Sequence, residues 1–256
     1  MLTVQDSLVR SFYGSFINGE EVSEFGSSSF ETFNPANGEV LTTIQEAGAV
    51  GVEQAVANAR EAFPAWRDLP GVEKGRIMLA ISRKILENTD RLVALESLDN
   101  GKSRMDATFD VITAARYFEY YAGIADKIAG ETIPLGASHI SYTRPEPFGV
   151  TAHIVPWNAA FQQAARGIAP ALAAGNTAVV KPAEDTSIST IELARICHEA
   201  GLPAGVLNVV AGLGSTVGAA LVRHPGIGRI TFTGSVPTGQ EIMRACNWPR
   251  WALRYR

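Results

Sequence analysis

The sequence predicts an α/β fold: a parallel sheet with helices on both faces, a helical segment before it, and a projecting β-hairpin. Three observations carry this. From residue 150 onward, short apolar runs alternate with helical patterns, the signature of repeated βα units. The runs are continuously apolar rather than alternating, as strands buried on both faces are. The unusual polar residues and glycines follow the runs, at the carboxyl ends where open parallel sheets bind ligands.

Two strands open the chain, near Phe16 to Glu20 and Glu39 to Ile44, with Asn18-Gly19 as a hairpin turn. From residue 50 the period becomes helical: Val52, Ala55, Val56, Ala59, Ala62, Phe63 and Trp66 share one face. A second helix follows Pro70, with Ile77, Ile81 and Ile85 at four-residue spacing, and a third spans Ala107 to Ile128. His139 to Thr143 and Val150 to Val155 read as two extended strands separated by Pro145 and Pro147, which forbid a helix. They suit either a projecting dimerisation hairpin or a plain sheet edge. Next come a strand at Ala178 to Lys181 and a helix opened by the capping-box pattern Ser189-Thr190-Ile191-Glu192 and closed at Gly201. A strand at Gly205 to Val210, a helix from Ser215 to Arg223, a strand at Arg229 to Thr233 and a helix from Thr238 to Arg244 complete the series. Sequence organisation divides the chain into 1–130, 131–150, 151–243 and 244–256.

Of 256 residues, 46% are hydrophobic and 19% charged, ordinary for a globular chain. The last thirteen residues carry four Arg and no acid, which leaves −8 on the rest of a chain whose total is −4. An acidic body argues against nucleic acid as a partner. No apolar run is long enough to cross a bilayer, and the first residues lack a basic segment followed by an apolar core. Two cysteines, Cys197 and Cys246, make no disulfide framework, and a reducing cytoplasm is the expected compartment. The four histidines show no ligand spacing, so no metal is expected.

Four strand ends deliver the candidate site. Gly212-Leu213-Gly214-Ser215-Thr216-Val217-Gly218 approximates a dinucleotide fingerprint one residue too long, and equally fits a tight strand-to-helix turn. Gly234-Ser235 precedes a helix whose free N-terminal amides suit a pyrophosphate. Lys181 and Glu184 fit a solvated lysine and a helix-entry acid, or a ribose site in which the carboxylate accepts hydroxyl hydrogen bonds and repels a 2′-phosphate. Asn158 is suited to donate to a developing oxyanion or to cap a helix, and Trp157 to pack in a core.

Taken together, Pro156-Trp157-Asn158, the segment Gly167 to Thr177, Lys181-Pro182-Ala183-Glu184, Ala200 to Asn208 and Phe232-Thr233-Gly234-Ser235 resemble the NAD(P)-dependent aldehyde dehydrogenase superfamily, over about Phe16 to Met243. The resemblance implies a Rossmann-like domain with NAD as cofactor in preference to NADP. Pro156, Trp157, Lys181, Ala183, Glu184, Gly214, Gly218, Phe232, Gly234 and Ser235 would bind it, and Asn158 would be the catalytic oxyanion donor. Residues 131–150 would be a hairpin joining like subunits in a homo-oligomer. The substrate of the full-length form would be a small-molecule aldehyde, oxidised to its acid. Two departures fall on the substrate side: Ala159-Ala160 replace the family's aromatic-Pro pair, and Gly167 replaces a Lys. The family's catalytic domain, with its cysteine nucleophile and glutamate base, is expected to be absent, and Cys197 reads as a packed residue. The Arg- and Trp-rich end after Met243 is expected to be a divergent tail from a frameshift or early stop, and the chain alone to be inactive. The alternative is a non-enzymatic NAD-binding or subunit-interaction fragment.

Overall fold

The computed structural model describes residues 8–26 and 28–246. The amino-terminal strands form two small arrangements. β1 (Phe12–Tyr13) pairs in parallel with β5 (Val40–Gln45), whose other edge takes β4 (Ser29–Phe33). β2 (Ser15–Ile17) and β3 (Glu20–Val22) form the expected hairpin. Its turn holds Asn18 at φ 55° and Gly19 at φ 83°, the left-handed pair that a two-residue hairpin turn needs.

Four helices follow: α1 (Gly48–Asp68), α2 (Gly71–Glu87), α3 (Thr89–Asn100) and α4 (Arg104–Ile124). The periodicity anticipates α1, α2 and α4. It assigns nothing to α3, and the reason is physical. The buried face of α3 includes Glu96 and Asp99 beside Leu92, Val93 and Leu95, so the apolar stripe that betrays a helix is interrupted by acids. Lys102 neutralises part of this charge, reaching Glu96 at 3.0 Å and Asp110 of α4 at 2.6 Å. α4 starts earlier than expected because Ser103 caps it, accepting from the Asp106 amide at 3.1 Å.

The central sheet has six strands in the order β11–β8–β9–β10–β2–β3. β8 (Val150–Ile154), β9 (Thr177–Lys181), β10 (Leu207–Val209) and β11 (Ile227–Phe232) run parallel, and the β2–β3 hairpin extends the sheet antiparallel beyond β10. The connecting helices are α5 (Ala160–Ala173), α6 (Ile188–Glu199), α7 (Ala219–Arg223) and α8 (Val236–Ala245). Strand residues alternate between the two faces. Val155, Ala178, Val180 and Val209 join Phe118, Phe161, Ile168 and Ile191 in the larger core. Val150, Ala152, Val179 and Val210 meet Val52, Val56 and Leu221 on the opposite face.

Two expectations are corrected. The strand at His139 to Thr143 does not pair with the strand after it. Its strand part, β7 (Ser141–Tyr142), pairs with β6 (Thr132–Ile133), while β8 belongs to the centre of the sheet. The hairpin here thus lies within residues 132–142, where Ile133, Leu135, Ile140 and Tyr142 are exposed. The capping box at Ser189 is not made. α6 starts one residue before it, and Glu192 is buried against Arg10, Arg91 and Arg195. The apolar environment and three guanidinium groups claim the carboxylate that a capping box would use.

The expected tail splits in two. Arg244 and Ala245 close α8 and Cys246 follows it, while residues 247–256 lie outside the described residues.

Candidate functional site

The expected strand ends converge at one rim of the sheet. Lys181, the last residue of β9, is 2% exposed, which overturns the solvated-lysine reading. Its side chain lies on the α7 face, because Val179 two residues earlier packs there. Nζ donates to the Pro182 carbonyl at 2.6 Å and to Glu184 Oε2 at 3.1 Å. Burial lowers the Lys181 pKa, and the Glu184 charge opposes that fall. Burial would raise Glu184, but the Lys181 charge and the hydrogen bond from Lys181 hold its carboxyl below the ordinary range.

Next to this ion pair, the chain after β10 enters a single wide turn, Gly214–Gly218, that runs into α7. Glu46, just after β5, holds the turn by accepting from the Leu213 amide at 3.2 Å and from the Thr216 hydroxyl. Lys181, Gly214, Gly218, Ile154 and Thr238 line a cleft of about 780 Å³ between this turn and α8. A Cβ at Gly214 would meet nothing within 4 Å, and one at Gly218 would make only ordinary contacts, the nearest with Lys181 Cδ at 3.5 Å. The fold itself does not require glycine there, and the bare backbone leaves the cleft wall open to a ligand.

The other expected cofactor residues surround this centre with less shared lining. Ala183 and Glu184 lead into a short turn, Glu184–Thr186. Pro156 and Phe232 border a second cavity on the α5 side of the sheet. Ser235 caps α8, accepting from the Thr238 amide at 3.3 Å, so its oxygen already serves one of the amides expected to be free. Gly234 packs against the Phe232 ring.

Asn158 and Trp157 sit on the loop between β8 and α5. Trp157 is 58% exposed, so it is not core. Asn158 is exposed, and its side chain makes no hydrogen bond among the described residues. Ala159 precedes α5 without a side-chain cap, so Asn158 does not cap it. The loop is fixed instead through the Trp157 carbonyl, which accepts from Asn100 Nδ2 and from the Thr186 hydroxyl at 3.3 Å. Glu46, Asn100 and Thr186 escape sequence reasoning. Glu46 is an isolated acid after a strand, and Asn100 ends α3, a helix the periodicity does not assign. Thr186 carries no pattern.

Cys197 is fully buried, and burial pushes its thiol pKa well up; Cys246 is raised by the same cause. Neither is poised as a thiolate nucleophile. Among the described residues, no three His, Cys, Asp or Glu side chains gather as a metal site, and no helix is long and apolar enough to cross a membrane.

Against known proteins, the sequence model described as the aldehyde dehydrogenase family matches residues 22–253. The chain belongs to the aldehyde dehydrogenase family. It is similar to a hydroxyisobutyraldehyde dehydrogenase of Mycolicibacterium austroafricanum, 43% identical over 229 residues covering 90% of this chain and 45% of the relative. It is also similar to an aldehyde dehydrogenase of Enchytraeus buchholzi, 45% identical over 90% of this chain and 47% of the relative. The chain thus spans about half the length of the curated relatives it matches. The NAD+ complex of a Bacillus cereus aldehyde dehydrogenase superposes with TM-score 0.92 at 39% identity, over 96% of this chain and 51% of that one. An NADP-dependent enzyme of E. coli superposes with TM-score 0.90 at 36% identity, over 94% of this chain and 50% of that one. The structural neighbours of this chain thus include both an NAD+ complex and an NADP-dependent enzyme.

Proposed function

We propose that this chain is the cofactor-binding part of an NAD-dependent aldehyde dehydrogenase, oxidising an aldehyde to a carboxylic acid when a catalytic domain completes it. The observation that carries the reading is the cleft itself. A buried lysine, its carboxylate partner and two glycines that the fold does not need meet at the carboxyl ends of parallel strands, where such sheets bind dinucleotides.

In this reading Glu184 accepts from ribose hydroxyls and Lys181 donates to them. Gly214 and Gly218 let the backbone approach the dinucleotide, and the α8 N-terminus at Gly234-Ser235 faces its pyrophosphate. Pro156, Trp157, Ala183 and Phe232 wall the path. The bound nucleotide supplies a hydride acceptor. Asn158, whose amide is exposed and makes no hydrogen bond among the described residues, donates to the oxyanion that develops on the aldehyde oxygen. One such donor contributes about 3 kcal/mol of transition-state stabilisation. The nucleophile and general base come from outside the described residues, since Cys197 is sealed in the core.

Glu184 favours NAD by repelling a 2′-phosphate, and its pairing with Lys181 makes that preference moderate. The β6–β7 hairpin joins like subunits through its exposed apolar residues, and two free cysteines suit the cytoplasm. The chain alone binds NAD without turnover. Calorimetry with NAD and NADP, followed by an aldehyde panel, checks this. NAD binding that Glu184→Ala weakens more than NADP binding supports the reading. Absence of NAD binding, or equal losses for both nucleotides, contradicts it.

A further inference from the structure

Gly212, just before the wide turn, answers to a residue far from it in sequence. It stands at φ 150°, a conformation that favours glycine. A Cβ there would collide with Val217 and lie 2.8 Å from Glu46 Cγ. Glycine at 212 therefore lets the stem of Glu46 run against the turn.

The carboxylate at the end of that stem is held from two sides. Oε1 accepts from the Leu213 amide at 3.2 Å and from the Thr216 hydroxyl. Oε2 accepts from the hydroxyl of Ser28, just before β4, at 3.0 Å. The Glu46 amide donates back to the Ser28 carbonyl at 3.0 Å, and the next amide, Ala47, donates to Ala211 at 2.9 Å. Burial would raise the Glu46 carboxyl, but the bonds from Thr216, Leu213 and Ser28, with the Lys181 charge, hold it below the ordinary range. It is thus a charged acceptor at neutral pH, the stronger kind. Its two partners in the turn bracket Gly214 and Ser215, which line the nucleotide cleft. Leu213, Gly214, Ser215 and Thr216 are all exposed, so burial does not hold this stretch in place.

We propose that Glu46 is a positioning residue for the dinucleotide: it staples Leu213 to Thr216 and so presets the backbone of Gly214 and Ser215 against which the nucleotide lies. The proposal rests on the nucleotide reading given above. The small amino-terminal sheet thereby becomes part of the cofactor site without touching the cofactor. A turn held before binding costs less to order, and a turn released from its staple binds in proportion to the time it spends in the competent shape.

The test is calorimetry of NAD, with amide hydrogen exchange, on the whole chain and its variants. Glu46→Ala should bind NAD about tenfold more weakly, with faster exchange confined to residues 213–218. Glu46→Gln keeps the staple, since its carbonyl oxygen can accept from Leu213 and Thr216 while its amide donates to Ser28 Oγ. It should stay within about threefold of the parent. Thr216→Val removes one arm, and adding it to Glu46→Ala should cost nothing more, because the two act as one unit. If Glu46→Ala does not fold, Glu46→Gln and Thr216→Val decide. Parent-like affinity in Glu46→Ala or in Thr216→Val would overturn the staple. So would equal losses in the Gln and Ala variants, which mark a charge effect on Lys181, or exchange that rises across α5 and α6 as well. The parent separates the two claims. A parent that binds NAD beside an unaffected Glu46→Ala loses the positioning role alone, whereas a parent that binds no NAD removes the nucleotide reading and this role with it.

Discussion

The centre and the outer edge of the parallel sheet differ sharply. All five residues of β9 are buried, and α5 beside it buries eight of its fourteen. β11 has no fully buried residue, and neither does α8. Among the described residues, no strand pairs with the outer edge of β11, and Phe148, Val236 and Met243 around it are 58%, 74% and 73% exposed. One wall of the cleft lined by Lys181 and Thr238 is therefore built on the core, and the other on a bare edge. Lys181 and Glu184 are held before any ligand arrives. Gly234 and Ser235 rest on an element with little packing of its own, and an uncovered apolar strand edge is prone to association.

Core truncation tests this contrast with the largest effect. Phe161→Ala, at a fully buried ring, should cost about 3–5 kcal/mol of unfolding free energy. Met243→Ala, on the exposed face of α8, should change it by less than about 0.5 kcal/mol and improve solubility. Denaturant titration compares them, and similar losses at both sites would erase the distinction. Acid comes next. Burial, with Arg229 assisting, lowers His153 to about 4 from 6.5. Between those values the unfolded chain binds the extra proton, so this residue's stabilising contribution is complete above about pH 6.5 and is lost as pH falls to about 4. The loss is of order 3 kcal/mol, and melts from pH 7 to 4 should show it in the parent and lack it in His153→Leu. The smallest effect belongs to the edge. Ser235→Ala removes the α8 cap, worth about 1 kcal/mol locally. Since α8 buries nothing, faster amide exchange in residues 236–245 should appear without a comparable fall in melting temperature. A matching global loss would show that α8 is integral to the core.

The sequence is most legible where burial imposes a single pattern. Val179 and Val180 in β9, the Asn18-Gly19 turn and the apolar stripe of α1 are each written in local residue order. α3 is hidden because Glu96 and Asp99 occupy its buried face, and their partner Lys102 becomes visible only in three dimensions. The Lys181–Glu184 pair is half legible: spacing suggests two polar residues at a strand end, but burial of one and its bond to the other require the fold. Glu46 and Asn100 reach the site from elements far away in sequence. His153 reads as a scattered histidine until Gly167 is placed against its ring.

The central claim is that the cleft beneath Gly214 holds the dinucleotide. Calorimetry of NAD against the parent chain and Gly214→Ala tests it most directly, because the added methyl meets no atom within 4 Å and should leave the melting temperature unchanged. The account predicts that the parent binds NAD and that the variant binds it about tenfold more weakly or worse, a difference of about 1.4 kcal/mol. Equal affinity in two equally stable proteins would contradict it.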